Sequence, residues 1–179
     1  MIHVSEVKTD KPPTYQNELH RQVYETLEQL GIPFERVNND PALTMEDCIA
    51  IDERLQVKTV KTLLLCNRQK TAFYLFVTPG DKPFVTKHFS HTLGISRVSF
   101  APQESLGELL GTALGATTVL SLISDTENRV RLVIDKEVLG YEYYGCTDST
   151  TTGYMRLRLA DVLEKYIPFT QHEPTYIEV

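Results

Sequence analysis

The chain has 179 residues, of which 41% are apolar and 23% are charged, and its formal net charge is −6. This length suffices for one hydrophobic core and is short for two, so we expect a single domain at residues 14–179 behind a flexible, loosely held arm at residues 1–13. No apolar run approaches the length of a membrane span and the start lacks a signal-peptide pattern. We therefore expect a cytoplasmic protein without a membrane partner.

The cysteines exclude two further classes of protein. Cys48, Cys66 and Cys146 are odd in number, lie far apart and form no CxxC pair. They predict neither a disulfide framework nor a thiolate zinc site, and we expect reduced, mostly buried thiols.

The charge is distributed unevenly along the chain. Residues 58–97 contain seven lysines and arginines against one acid, Asp81, and so carry +6, whereas the remaining residues carry −12. Taken alone, the net negative charge argues against a nucleic-acid partner, DNA included, because phosphate binding requires an electropositive surface. Charge runs are usually solvated faces, and a local phosphate-binding face is the alternative interpretation of this basic segment.

The first predicted element is an amphipathic helix. Four apolar residues recur at spacings of four, four and three, and they are Leu19, Val23, Leu27 and Leu30. This spacing places them on one helical face, and Gly31 with Pro33 predicts where the helix ends.

A short strand is predicted next, at residues 34–37, before a polar turn and a second helix. Thr44, followed three residues later by Asp47, is a plausible N-cap with an acid in the first turn.

The remaining elements alternate between short strands and short helices. Strands at 60–66 and 71–78 predict one hairpin, and strands at 117–123 and 130–134 predict a second. Further extended segments are predicted at 97–100, 141–144 and 154–157, and helices at 87–93, 102–111 and 159–166. Such interleaving favours an α/β fold of the α+β type, with a mixed, mostly antiparallel sheet wrapped by helices, over a doubly wound parallel sheet.

Common catalytic motifs are absent from the sequence. It contains no G-x-S-x-G, H-E-x-x-H, Walker loop or G-x-G-x-x-G. His88 and His91 have an i, i+3 spacing that could reach one metal ion, but no carboxylate supports them at helical spacing. We therefore expect neither a metal nor another cofactor.

Two features stand out from an ordinary globular sequence. Lys61 lies inside an apolar strand, where an ammonium is costly unless it is paired, reaches solvent or lies at a sheet edge. Residues 111–118 are rich in glycine and other small side chains, so a ligand could approach the main chain and use its N–H groups as oxyanion donors. A helix C-cap followed by a loop is the alternative interpretation of residues 111–118.

Five segments carry, in order, the motifs of one known family. They are Asn39-Asp40-Pro41-Ala42-Leu43-Thr44 for H-x-P-x-x-T, Lys61-Thr62-Leu63-Leu64-Leu65 for K-N-L-F-L, Arg97-Val98-Ser99-Phe100 with Glu104 for R-L-S-F and A-x-x-E, Gly111-Thr112-Ala113-Leu114-Gly115-Ala116-Thr117 for G-x-x-P-G-S-V, and Ser124-Asp125 through Val130 to Asp135 for N-D-x-x-x-x-V-x-x-x-x-D. On these residues the chain, from about Leu19 onward, resembles the YbaK and prolyl-tRNA synthetase-associated editing domain family. The likeness is greatest to its free-standing ProX or PrdX branch.

This resemblance implies a fold, an activity and a site. Members hydrolyse the ester of a mischarged tRNA, typically alanyl-tRNA(Pro) in the ProX branch, so the implied partners are the tRNA acceptor end and, as a further candidate, an aminoacyl-tRNA synthetase. By the same resemblance, the residues expected to act in catalysis are Lys61, which would engage the phosphate of the terminal adenosine, and Gly115, Ala116 and Thr117, which would face the ester carbonyl. The implied substrate-binding residues are Asn39, Thr44, Gly111, Leu114, Thr147 and Thr151.

The chain also departs from the family pattern. Asn39 replaces a histidine, Leu114 a proline and Ala116 a serine, and Thr147-Asp148-Ser149-Thr150-Thr151 stands where the family has H-P-x-x-N. Loss of a large polar group changes both the size and the hydrogen bonding of a pocket. Two hypotheses follow: a trans-acting deacylase with altered specificity, or a catalytically inactive relative that binds tRNA ends or an amino-acid-like ligand.

Overall fold

The computed structural model describes residues 1–179 and contains six short α-helices. They are α1 (Glu18–Gln29), α2 (Cys48–Leu55), α3 (Thr86–Leu93), α4 (Gln103–Ser105), α5 (Leu159–Asp161) and α6 (Ile167–Phe169). A π-helical turn, Leu106–Leu110, extends α4, and another, Val162–Tyr166, joins α5 to α6. None of the helices combines the length and the apolar character that a bilayer crossing requires.

Eight strands form two sheets. The five-stranded sheet has the order β4 (Val98–Phe100), β2 (Val60–Asn67), β3 (Phe73–Pro79), β5 (Val130–Asp135) and β8 (Thr175–Ile177). The three-stranded sheet has the order β1 (Glu35–Asn38), β7 (Gly153–Arg158) and β6 (Tyr143–Thr147). Pairing is antiparallel throughout except between β3 and β5 and between β5 and β8, so the predicted mixed α+β fold is confirmed.

The largest hydrophobic core lies between the sheets and the helices. It contains the apolar face of α1, with Leu19, Val23 and Leu27, and residues from both sheets such as Leu75 and Met155. The helix predicted from that spacing is therefore confirmed. A smaller cluster, which includes Phe76 and Phe89, fills the space between the other face of the large sheet and α3.

The second predicted hairpin is wrong. Residues 119–124 form a 3₁₀ helix, and β5 pairs in parallel with β3 instead. The Thr118 hydroxyl accepts a hydrogen bond from the Leu120 N–H at 3.3 Å, which caps the first turn, and Leu120 is fully buried. A short apolar run of this kind fits a buried strand and a buried helical turn equally well.

The predicted start of the second helix also needs correction. The helix expected to begin after Thr44 begins at Cys48, because Asp47 accepts hydrogen bonds from the Leu43 and Thr44 N–H groups and closes a separate turn first. The arm at residues 1–13 forms backbone hydrogen bonds with β1, from Lys8 to Arg36 among others. These contacts place part of the arm beside β1.

Candidate functional site

A cleft of about 330 Å³ opens where β2 lacks a neighbouring strand on one side. Thr59 pairs with Gly145 of β6, and the Leu64 carbonyl accepts a hydrogen bond from the Ala101 N–H just beyond β4. Between these two points, residues 60–63 have only β3 as a partner and line the cleft. The gap between the two flanking elements is thus what creates the pocket.

Lys61 lies on this unpaired edge of β2. Its Nζ donates a hydrogen bond to the Lys82 carbonyl, and no carboxylate lies within ion-pair distance of it. Burial lowers the pKa of the Lys61 ammonium from its ordinary value, and the charge of Asp81 partly opposes that effect. Since no acid pairs with it, the ammonium is available to an anion that enters the cleft.

The turn that holds Lys61 is itself anchored. Lys82 Nζ lies 2.9 Å from Asp135 Oδ2, and the same oxygen accepts a hydrogen bond from the Thr78 hydroxyl at 2.8 Å. Asp135 is almost completely buried, at 1% exposure. Lys82 and Asp135 are therefore positioning residues, which fix the carbonyl group that holds the Lys61 ammonium.

The small-residue loop forms a second wall of the cleft. Gly115 has a φ of +88°, and a Cβ built there would lie 3.0 Å from Leu43 Cδ2. Gly115 and Thr117 line the cleft, and neither of their N–H groups donates a hydrogen bond within the chain. The Ala116 N–H, by contrast, donates to the Ala113 carbonyl at 3.1 Å. The N–H groups of Gly115 and Thr117 are therefore without an acceptor in the chain, whereas that of Ala116 is engaged.

Thr147 closes the inner end of the cleft and contacts the same loop. Its hydroxyl donates to the Ala116 carbonyl at 3.0 Å and accepts from the Ser149 N–H at 3.2 Å. This hydroxyl ties β6 to the small-residue loop. Because its proton is already committed to a carbonyl, it is poorly placed to act as an acid or a base.

A buried network supports the segment after Thr147. Asp148 Oδ2 lies 2.9 Å from His20 Nε2 and 2.8 Å from the Tyr24 hydroxyl, while Thr150 donates to Oδ1 through its N–H and its hydroxyl. His20 Nδ1 accepts a hydrogen bond from the Gln16 N–H, so the imidazole proton is on Nε2 and is donated to Asp148. Burial raises the pKa of Tyr24 and the Asp148 charge raises it further, so the phenol stays protonated. The network ties residues 147–151 to α1.

Two thiols line the cleft without being activated. Cys48 and Cys146 are free and buried, as is Cys66 outside the cleft. Burial raises the pKa of Cys146 to about 12 and also raises the pKa of Cys48. Both are thiols near neutral pH, so neither has the character of a nucleophile.

Six of the ten residues implied by the family resemblance line the cleft, namely Thr44, Lys61, Leu114, Gly115, Thr117 and Thr147. Four do not. Ala116 is buried within the loop, Gly111 ends the turn after α4 with a φ of +69°, and the Asn39 amide donates to the Thr151 carbonyl at 3.1 Å. Asn39 and Thr151 therefore hold each other near the cleft rather than face into it.

Sequence reasoning missed other cleft residues. Tyr154 is buried at the cleft and its hydroxyl lies 3.5 Å from Cys48 Sγ, and Phe100 lies at the mouth with 61% of its surface exposed. Phe100 was part of a matched motif, but its exposure carries no sequence signal. Asp148 and His20 lie 128 positions apart, so nothing local in the sequence links them.

Comparison with known proteins assigns the chain to a protein family. The sequence model of the aminoacyl-tRNA editing domain matches residues 39–165, and the chain belongs to that family. That span includes β2, the small-residue loop and residues 147–151, which are the elements that form the cleft.

Individual relatives agree with this assignment. The chain is 27% identical over 162 residues to prolyl-tRNA synthetase associated domain-containing protein 1 of Danio rerio, covering 89% of this chain and 87% of that protein. It is 28% identical over 114 residues to the prolyl-tRNA editing protein ProX of Acetoanaerobium sticklandii, covering 64% and 70%. Among solved structures, a candidate trans-editing enzyme for prolyl-tRNA synthetase has the same fold, with a TM-score of 0.65, 18% identity and coverage of 91% and 98%.

Proposed function

We propose that this protein is a trans-acting deacylase, which hydrolyses the ester of a mischarged aminoacyl-tRNA of the Ala-tRNA(Pro) type. One observation carries the proposal: a single cleft contains an ammonium without an acidic partner beside two backbone N–H groups without acceptors. These are the groups that a phosphate and an ester carbonyl require. The proposal makes the tRNA acceptor end the principal partner, an aminoacyl-tRNA synthetase a second one, and the cytoplasm the location.

The chemistry needs little from the protein side chains. In the proposed reaction, water adds to the ester carbonyl, the Gly115 and Thr117 N–H groups stabilise the negative charge on the carbonyl oxygen, and the bond to the ribose oxygen then breaks. The released ribose oxygen takes up a proton, and a substrate ribose hydroxyl assists, as in the family. Because the ester is already activated, correct positioning and two donors are sufficient machinery.

Selection of the amino acid is the part in which this chain departs most from the family. Thr147 stands in place of a histidine, and its hydroxyl is bonded to the Ala116 carbonyl. The neighbouring walls, with Cys48, Cys146 and Tyr154, are largely apolar. We infer that a small, uncharged amino acid occupies this end, with a selectivity that differs from that of members with the histidine.

The same departures from the family motifs favour a second function, that of a catalytically inactive binding protein. Leu114 replaces the loop proline and is 66% exposed, and the asparagine of the family motif is also absent. An inactive relative that binds tRNA ends or an amino-acid-like ligand would keep Lys61 and lose the amino-acid-selecting groups, as this chain has.

A panel of mischarged tRNAs separates the two functions. We expect release of the amino acid from at least one member, alanyl-tRNA(Pro) included, and a kcat/KM for Lys61→Ala that is lower by about 10- to 100-fold, since a charged hydrogen bond contributes roughly 2 kcal/mol. Lys136→Ala is the matched control, because Lys136 is exposed and lies outside both the cleft and the basic segment 58–97. No release from any substrate at high protein concentration would rule out the deacylase. Equal activity of Lys61→Ala and wild type would rule out the role of Lys61.

A further inference from the structure

Phe100 is a large apolar side chain that is exposed at the mouth of the cleft. It ends β4, lines the cleft and has 61% of its surface in contact with solvent. Burial of a phenyl ring is favourable, yet most of this ring stays in contact with solvent. Exposed aromatic rings beside a binding site often mark a contact with a ligand.

The ring is supported from behind by an aromatic column. Its centroid lies 5.7 Å from that of Phe84 at an interplanar angle of 64°, and Phe84 in turn contacts the buried rings of Phe76 and Phe89. Phe76 and Phe89 are each 1% exposed. The column fixes Phe100 against the large sheet while most of its surface stays open, which is the arrangement of a preformed platform.

The charge around the platform favours a nucleic acid over an acidic or neutral protein segment. Lys61 is the only charged residue that lines the cleft, and its ammonium has no acidic partner. The segment from residue 58 to residue 97, which leads into β4, carries +6. A planar ring beside an unpaired cation matches a nucleotide, which offers a base to the one and a phosphate to the other.

We propose that Phe100 is a stacking platform for a nucleobase in the single-stranded 3′ end of the tRNA, next to the ester-binding part of the cleft. This inference rests on the proposed function, because that function brings the 3′ end to the cleft. Stacking on an aromatic side chain is tolerant of base identity, so the platform serves any tRNA, while the inner end of the cleft selects the amino acid. Lys61 and Phe100 together bind the nucleotide part of the substrate.

Fluorescence provides a direct test, because the chain contains no tryptophan. The Phe100→Trp variant has a single indole at the platform, and a base that stacks on it quenches its emission. The probe is an uncharged RNA hairpin with an acceptor stem ending in CCA, compared with the same hairpin lacking those three nucleotides. Phe169→Trp is the matched control, since Phe169 is also exposed and lies outside the cleft.

We expect saturable quenching of Phe100→Trp by the CCA hairpin, weaker quenching when Lys61→Ala is added, and none for Phe169→Trp. No preference for the CCA hairpin over the truncated one would overturn the inference. Emission of Phe100→Trp that changes with protein concentration in the absence of RNA would also overturn it, because the face would then bind a second copy of the chain.

Deacylation kinetics provide an independent test of the stacking role of Phe100. Phe100→Ala should raise the KM for the mischarged tRNA about 10-fold, Phe100→Tyr should restore it, and Phe100→Leu should not, because leucine keeps apolar area and loses the stacking face. The two proposals can fail separately. Quenching without deacylation would support the stacking role of Phe100 and contradict the deacylase function. Deacylation with an unchanged KM in Phe100→Ala and no quenching would support the deacylase function and contradict the stacking role.

Discussion

Gly115 links backbone conformation to the cleft at the scale of a single residue. Its φ of +88° lies in a region that side chains rarely adopt, and a Cβ there would meet Leu43 at 3.0 Å. We expect Gly115→Ala to destabilise the fold by about 1–2 kcal/mol and also to lower kcat/KM, because the N–H that faces the ester carbonyl in the proposed reaction moves with the loop. Urea unfolding and deacylation kinetics measure the two effects.

Gly94→Ala is the control for that substitution. Gly94 ends α3 with a φ of +66°, and a Cβ there would meet nothing within 4 Å. It should therefore cost similar stability while leaving deacylation unchanged. If both variants lose activity in proportion to stability, Gly115 has a structural role only.

The residues of the site differ in how far the sequence predicts them. Lys61 can be predicted from the sequence because a cation inside an apolar strand is unusual. Its position on the unpaired edge of β2 matches one of the arrangements that avoid the cost of burying an ammonium. Thr147 is predicted only from its position relative to the family motifs. Asp148 could not be found, because its partners His20 and Tyr24 come from α1, and only the folded chain brings them together.

At the scale of elements, the first hairpin and the helix α1 could be predicted because each depends on local periodicity. The register of β2 against β3, from Val60 opposite Pro79 to Cys66 opposite Phe73, needs only a short turn. The parallel pairing of β3 with β5 joins residues 57 positions apart, such as Phe73 and Val130, and the parallel pairing of β5 with β8 depends on a strand of only three residues. Neither long-range pairing nor so short a strand leaves a readable pattern in the sequence.

The segment 147–151 and α1 form one unit through Asp148. Substituting Asp148→Asn replaces an acceptor surrounded by four donors with an amide that must turn its own NH₂ toward some of them, so we expect a loss of about 2 kcal/mol in unfolding free energy. Because Thr147 is adjacent, the variant should also change the ratio of kcat/KM between mischarged tRNAs that differ only in the amino acid.

Asp125→Asn is the matched control for Asp148→Asn. Asp125 is also buried and also pairs with a buried histidine, His172, at 2.8 Å, but unlike Asp148 it has no sequence neighbour that lines the cleft. We expect comparable destabilisation with unchanged selectivity. If selectivity moves equally in both variants, it follows general loosening of the fold, and Asp148 has no special role in positioning Thr147.

At the scale of the whole molecule, two sheets replace the single sheet expected from the sequence, and the cleft exists because of that division. β2 belongs to the large sheet, and its gap is bounded by β6 of the small sheet at Thr59 and by β4 at Leu64. One continuous sheet would fill the gap with a strand. Strand patterns alone show that residues pair, but they do not show how the strands divide between sheets.

The uneven charge of the chain predicts how tRNA affinity depends on salt. An acidic protein that binds RNA through one basic segment should show a linear fall of log affinity with log salt, and each phosphate contact contributes roughly 0.7–0.9 to the slope.

Arg97 is exposed within that segment and forms no ion pair, so Arg97→Ala should weaken binding of an uncharged acceptor-stem hairpin and reduce the slope by about that amount. Arg158→Ala, an exposed arginine in the small sheet, should change neither quantity. Titrations at three or more salt concentrations measure both. Equal slopes for the two variants and the wild type would mean that the charge of residues 58–97 is a solvated face and that the RNA approaches the cleft from elsewhere.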